Sequence, residues 1–119
     1  MAQPDLHRIK TEFDTVQEFL IAVGDEKRQA IIIALLHQQS GAGLRVPDFT
    51  EMTGLSRPAV SHHLKLLKQA GIIAARSEGT KNYYYLSNIA ASLKQLRQLS
   101  DDMLVFLAGF KIEVQRPLS

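Results

Sequence analysis

The sequence predicts a mainly α-helical domain with one small β-hairpin, in the order α-α-α-α-β-β-α. Three observations predict it. Apolar residues recur at helical spacing through most of the chain. Near residue 72 the pattern shifts to two short β-rich segments, and then returns to the helical period. The chain has 119 residues, which fits one domain over 1–119. Its 45% hydrophobic content builds a real but small core, so association with a second copy would help to bury apolar surface.

Each element has its own signal. Leu6, Ile9, Phe13, Val16, Phe19 and Leu20 fall at three- and four-residue steps, predicting an amphipathic helix over 5–22 that Gly24 breaks. Asp25 caps a second helix running to about His37, with Glu26 near its positive end. That helix reads AIIIALL in its middle, apolar nearly all round, and is expected to be the central buried one. QQSGAGLR (38–45) is a loop by composition. Pro47 suits the first turn of a short third helix with Phe49 and Met52 on its apolar face. Thr53, Gly54 and Leu55 make a tight turn. Ser56 caps a fourth helix with Pro58 in its first turn, Val60, Leu64 and Leu67 as its buried stripe, and Gly71 at its end. IIAARS (72–77) and NYYYLS (82–87), separated by EGTK, predict the hairpin. Ser87 or Asn88 caps a last helix over 89–110. Its apolar stripe is Ile89, Leu93, Leu96, Leu99 or Ser100, Met103, Leu107 and Phe110.

Composition narrows the function. With no cysteine, disulfides, thiolate metal sites and cysteine nucleophiles are all excluded. The longest apolar run is too short to span a bilayer, and the N-terminal residues lack the apolar core of a secretory signal. A cytoplasmic protein is expected, with no membrane partner. No Gly-rich phosphate loop, convergent carboxylate pair or activated nucleophile is present, so no enzyme is expected and no cofactor. The net charge of +2 is unevenly placed. Residues 1–55 carry −3, residues 56–81 carry +4 and residues 82–119 carry +1. Nothing between Glu51 and Glu78 is acidic. A basic stripe in an otherwise balanced chain is either a solvated face or the footprint of a polyanion partner.

The stripe coincides with a structural pattern. A short helix, a glycine turn and a second helix over 46–70 form a helix-turn-helix, whose second helix enters the DNA major groove with its N-terminal residues at the base edges. A carboxylate on that face would be repelled by phosphate. Arg57 can read guanine or grip phosphate. Arg76 and Lys81 stand at the flank and tip of the hairpin, suited to a neighbouring phosphate or the minor groove.

On these residues the chain resembles the ArsR/SmtB family of bacterial winged-helix repressors. DEKRQAIIIALL (25–36) is similar to the family's second-helix entry, with Arg28 at its arginine. TGLSRPAVSHHLKLLKQAGII (53–73) resembles its recognition-helix segment. ARSEGTKNYYYLS (75–87) resembles its wing. Thr50 departs from the small alanine usual in the third helix, which implies a slightly wider helix crossing. The resemblance implies a winged helix-turn-helix with a wing over 72–87. It also implies a homodimer joined through the first and last helices, binding an imperfect palindrome of double-stranded DNA as an effector-relieved repressor. It assigns DNA contacts to Ser56, Arg57, Pro58, Ser61, His62 and Lys65 of recognition helix 56–70, and to Arg76 and Lys81 of the wing. The alternative is a winged-helix protein-interaction module without sequence-specific DNA binding.

His62 and His63 lie about 100° apart on a helix, so His62 is expected to face DNA and His63 to pack beneath. Tyr83 and Tyr85 are expected to pack the wing on the core, leaving Tyr84 outward, or Tyr83 if the register is one residue off. Metal-sensing relatives use thiolates near the third helix, or His and carboxylate groups on the last. Here the last helix offers only Asp101 and Asp102, with Glu113 beyond, and His7 and His37 are isolated. Zinc or nickel wants imidazole or thiolate, so a member that does not sense metals is expected. A small organic effector between the first and last helices, and constitutive repression, both remain compatible with the two apolar stripes.

Overall fold

The computed structural model describes residues 3–38 and 40–110; Glu113 lies outside them. Five helices and one hairpin follow in the expected order: α1 Leu6–Val23, α2 Glu26–His37, α3 Val46–Thr53, α4 Arg57–Gln69, β1 Ile73–Glu78, β2 Lys81–Leu86 and α5 Ile89–Ala108. Local chemistry sets most boundaries. The Asp5 carboxylate accepts the Arg8 amide at 2.8 Å and starts α1. Asp25 accepts the Lys27 and Arg28 amides at 2.9 and 3.0 Å and starts α2. Those amide bonds, that of Arg28 above all, favour the ionised carboxylate and hold Asp25 below its ordinary pKa. Asn88 stands at the start of α5 without a side-chain cap.

The core lies where α2, α3, α4 and the hairpin meet, around Ile31, Phe49, Val60, Leu64, Leu67 and Ile72, all fully buried. The fourth helix shows the buried stripe its period predicts. The second helix does not bury all its apolar residues. Ile31, Ile32, Ala34 and Leu35 are buried, whereas Ile33 is 63% and Leu36 56% exposed. These two side chains are only partly covered: Ile33 lines an open cleft with Met52 and Thr53, and Leu36 another with Tyr85 and Leu86. Met52, expected on the apolar face of α3, is likewise exposed, and Phe49 alone on that helix is buried.

The hairpin is tighter than the sequence suggests. Glu78 pairs with Lys81 across it, so only Gly79 and Thr80 form the turn, with Gly79 at φ 65°. The tyrosines correct a second expectation. Tyr84 is the one turned to the core, its ring edge-on to Phe49 at 6.3 Å between centroids. The reason is a third short partner for the wing. Leu44 exchanges two 2.8 Å backbone hydrogen bonds with Tyr84 on the free edge of β2, which sets that residue against α3.

This pairing depends on Gly43. Its φ is +89°, and an added Cβ would meet the Tyr84 carbonyl oxygen at 2.9 Å and the Tyr83 Cβ at 3.2 Å. Gly41 also has positive φ but faces open space. Gly43→Ala is expected to destabilise the fold by more than the ~1–2 kcal/mol of a left-handed alanine, and Gly41→Ala by no more than that. Urea unfolding of the two variants side by side checks the difference.

Helices α1 and α5 pack along one another, and Ile9, Val16, Phe19 and Ala22 of α1 and Leu99 of α5 join the same core. Arg8 Nε lies 3.0 Å from Asp102 Oδ2, and Gln98 Nε2 donates to Asp102 Oδ1 at 3.0 Å. Asp102 is buried; Gln98 donates to Oδ1, while Oδ2 has the Arg8 charge beside it but no hydrogen bond among the described residues. Burial, and then Asp102 close by, push the nearby Glu12 above the usual carboxylate range. Leu99 is the buried apolar residue of α5. Much of the predicted stripe is not buried within one chain: Leu93, Met103, Leu107 and Phe110 are exposed, as are Leu104 and Val105 beside it and Phe13 on α1.

Candidate nucleic-acid interface

The fourth helix has two contrasting faces. Val60, His63, Leu64 and Leu67 are buried, while Arg57, Pro58, Ser61, His62, Lys65 and Lys68 are exposed. Residues 58, 61, 62, 65 and 68 recur at three- and four-residue steps, so they share one outward surface. That surface carries no carboxylate. The helix is entered through Gly54, whose φ of 75° lets α3 stop and the chain turn within three residues. Ser56 Oγ then accepts the Ala59 amide at 3.3 Å. Ser56 is therefore placed at the interface but already engaged as a cap.

The histidine pair separates as expected. His62 is exposed and His63 is buried, their rings 5.4 Å apart at 59°. Beneath the helix, His63 Nδ1 lies 3.3 Å from Arg28 Nη1. Arginine has only donors, so Nδ1 accepts and the ring is neutral with its proton on Nε2. Arg28 also donates to the Ala22 carbonyl at 2.7 Å and the Ile21 carbonyl at 3.3 Å. One guanidinium thus ties the end of α1 and the start of α2 to the underside of α4.

Burial holds His63 below its ordinary value of 6.5, aided by the Arg28 charge and opposed by Asp25. The folded state therefore binds fewer protons there than the unfolded state below that pH. The stability this neutral ring supports is fully present above pH 6.5 and declines as pH falls below it. Urea midpoints at pH 7.5 and about 5.5 are expected to converge in His63→Gln relative to the unmodified chain.

The wing contributes two basic residues in different states. Lys81 is exposed at the start of β2. Arg76 does not stand free as expected. Its Nε donates to Glu78 Oε2 at 2.8 Å, its Nη2 donates to the Ala42 carbonyl at 2.7 Å, and its guanidinium lies 5.1 Å over the Tyr83 ring. It braces the 40–44 loop against the hairpin. Tyr83 and Tyr85 thus share the face of β2 opposite Tyr84, with Tyr83 beneath the Arg76 guanidinium.

One residue escaped the sequence reasoning. Arg45, immediately before α3, lines a polar cleft of about 150 Å³ together with Val46, Pro47, Arg57, Thr80, Lys81, Asn82 and Tyr84. Its signal was its position just before Val46 and Pro47, hidden by the acidic balance of the N-terminal half. Among the described residues no three His, Asp or Glu side chains gather as a metal site, and no helix is long and apolar enough to cross a membrane.

Comparison with known proteins agrees with this geometry. Residues 25–75 match the bacterial regulatory protein, arsR family. An uncharacterised HTH-type transcriptional regulator of Methanocaldococcus jannaschii is 33% identical over 92 residues, covering 77% of this chain and 98% of that protein. The cadmium resistance transcriptional regulatory protein CadC of Listeria innocua is 35% identical over 79 residues, covering 65% of this chain and 64% of that protein. Among solved structures, reduced HlyU from Vibrio cholerae superposes with a TM-score of 0.64 at 25% identity, covering 77% of this chain and 93% of that one. The winged-helix fold, the acid-free outer face of α4 and these likenesses together place the chain in the arsR family of DNA-binding transcriptional regulators.

Proposed function

We propose that the chain is a homodimeric repressor that sets α4 into the major groove of an imperfect palindrome and lays the wing on the flanking backbone or minor groove. The observation that carries this reading is the two-faced fourth helix. Its inner face is fastened through His63 to Arg28, and its outer face presents Ser61, His62 and Lys65 without a carboxylate. The short side chain of Ser61 allows close backbone approach to base edges, and His62 and Lys65 reach out beside it. Pro58 is a contact surface and Ser56 acts first as a cap. Arg76 shapes the wing, and Lys81 meets the backbone. The protein acts in the cytoplasm by binding, not by catalysis. The cadmium in one relative's name belongs to that relative. This chain has no cysteine, and its signal is not a thiolate-bound metal.

The alternative, a protein-interaction module, makes no use of an acid-free face. Duplex binding across a salt series tests the reading. Affinity is expected to fall steeply as salt rises, with Ser61→Ala or His62→Ala altering sequence preference and Lys81→Ala weakening all sequences alike. Salt-insensitive binding, or unaltered preference in both helix variants, contradicts it.

A further inference from the structure

The cleft between the start of α3, the start of α4 and the wing gathers three cations from three separate elements: Arg45, Arg57 and Lys81. None of the three is in an ion pair among the described residues, where the paired basic side chains are Arg8, Lys10 and Arg76. The carboxylates that might have neutralised them are turned elsewhere. Asp48 accepts the Arg45 backbone amide at 2.8 Å. Glu78, directly across the hairpin from Lys81, is held by Arg76 at 2.8 Å. Like charges collected without a counter-ion repel one another, and an anion seated among them relieves that repulsion. The first turns of α3 and α4 border the cleft, and the positive ends of both helix dipoles add to its potential. Thr80 and Asn82 add neutral donors, and Pro47 and Tyr84 give it firm walls. At about 150 Å³ it is below the ~300–1,000 Å³ of sites that engulf small organic molecules.

We propose that Arg45, Arg57 and Lys81 jointly seat a single phosphate of the DNA backbone, so that this cleft fixes how deeply and at what angle α4 enters the groove. The proposal rests on the DNA-binding reading above and refines it. Arg57 grips phosphate rather than reading guanine, and sequence discrimination falls to Ser61, His62 and Lys65. Arg45, outside both the recognition helix and the wing, becomes a binding residue.

The test uses the full-length protein and a duplex it prefers, with each backbone phosphate of one half-site replaced in turn by an uncharged methylphosphonate. One position is expected to weaken the unmodified protein. On that substituted duplex, Arg45→Ala and Lys81→Ala are expected to bind as well as the unmodified protein, because the charge they met is gone. On unsubstituted DNA each variant is expected to weaken all sequences by a similar factor and to lower the log–log salt slope by about one. The seat is overturned if Arg45→Ala keeps full affinity and slope, or if its loss persists on every methylphosphonate duplex, while Ser61→Ala or His62→Ala still changes sequence preference. In that case the recognition-helix reading survives and the seat does not. If the unmodified protein has no sequence preference at all, the DNA-binding reading fails and takes the seat with it.

Discussion

Phe49→Ala is expected to cost about 3–5 kcal/mol, a large part of the ~5–15 kcal/mol that holds an ordinary domain folded. Phe49 is fully buried on the eight-residue α3 and meets the Tyr84 ring edge-on. Truncation removes the buried ring and leaves a cavity between the helix-turn-helix and the wing. The aromatic contact adds roughly 0.5–1.5 kcal/mol beyond burial. Met52→Ala, one turn along the same helix, is expected to stay within about 0.5 kcal/mol, because Met52 is 45% exposed. Urea unfolding of both variants measures the contrast. A Phe49→Ala loss below about 1 kcal/mol would mean that the wing does not pack on α3 as described.

Leu104→Glu is expected to convert the protein to a monomer and to lower operator affinity by roughly 10²–10⁴, the gain that joining two half-site readers brings. Leu104 is 62% exposed on α5, in the band that includes Met103, Val105 and Leu107 and lies on the helix packed along α1. A band this apolar is an unpartnered surface in a single copy, and a carboxylate buried in a dimer seam would have no counter-ion. Leu36→Glu supplies the control. Leu36 is similarly exposed on α2, outside that pair of helices, and its substitution is expected to leave the dimer intact. Sedimentation of the two variants, followed by operator titration, separates loss of the seam from a general effect of added charge. A dimeric Leu104→Glu protein would place the interface elsewhere.

The helical parts of this architecture were readable because an amphipathic helix declares its buried face through its period. Val60, Leu64 and Leu67 are buried as that period requires, and His63 lies on the same side. The period fails where a helix is apolar on every side. Nothing in AIIIALL says that Ile33 and Leu36 stay exposed, since that depends on which elements the rest of the chain can bring to α2. Alternation in a strand gives two faces without saying which is inner. Tyr84 turned inward because Leu44 pairs with it across a long sequence gap. The same closure explains both surprises among the basic residues. Arg76 found the Ala42 carbonyl 34 residues away, and Arg45 was carried beside Arg57 and Lys81. Local composition placed the acid-free helix correctly but held no record of those long-range meetings.

Everything proposed here depends on sequence-specific recognition by a symmetric pair of fourth helices. The most direct measurement is selection of bound fragments from random duplex DNA by the purified protein at about physiological salt. An enriched inverted repeat is expected, with half-sites about one helical turn, ~34 Å, apart. Fragments without a shared sequence, held by binding that vanishes as salt rises, would contradict it.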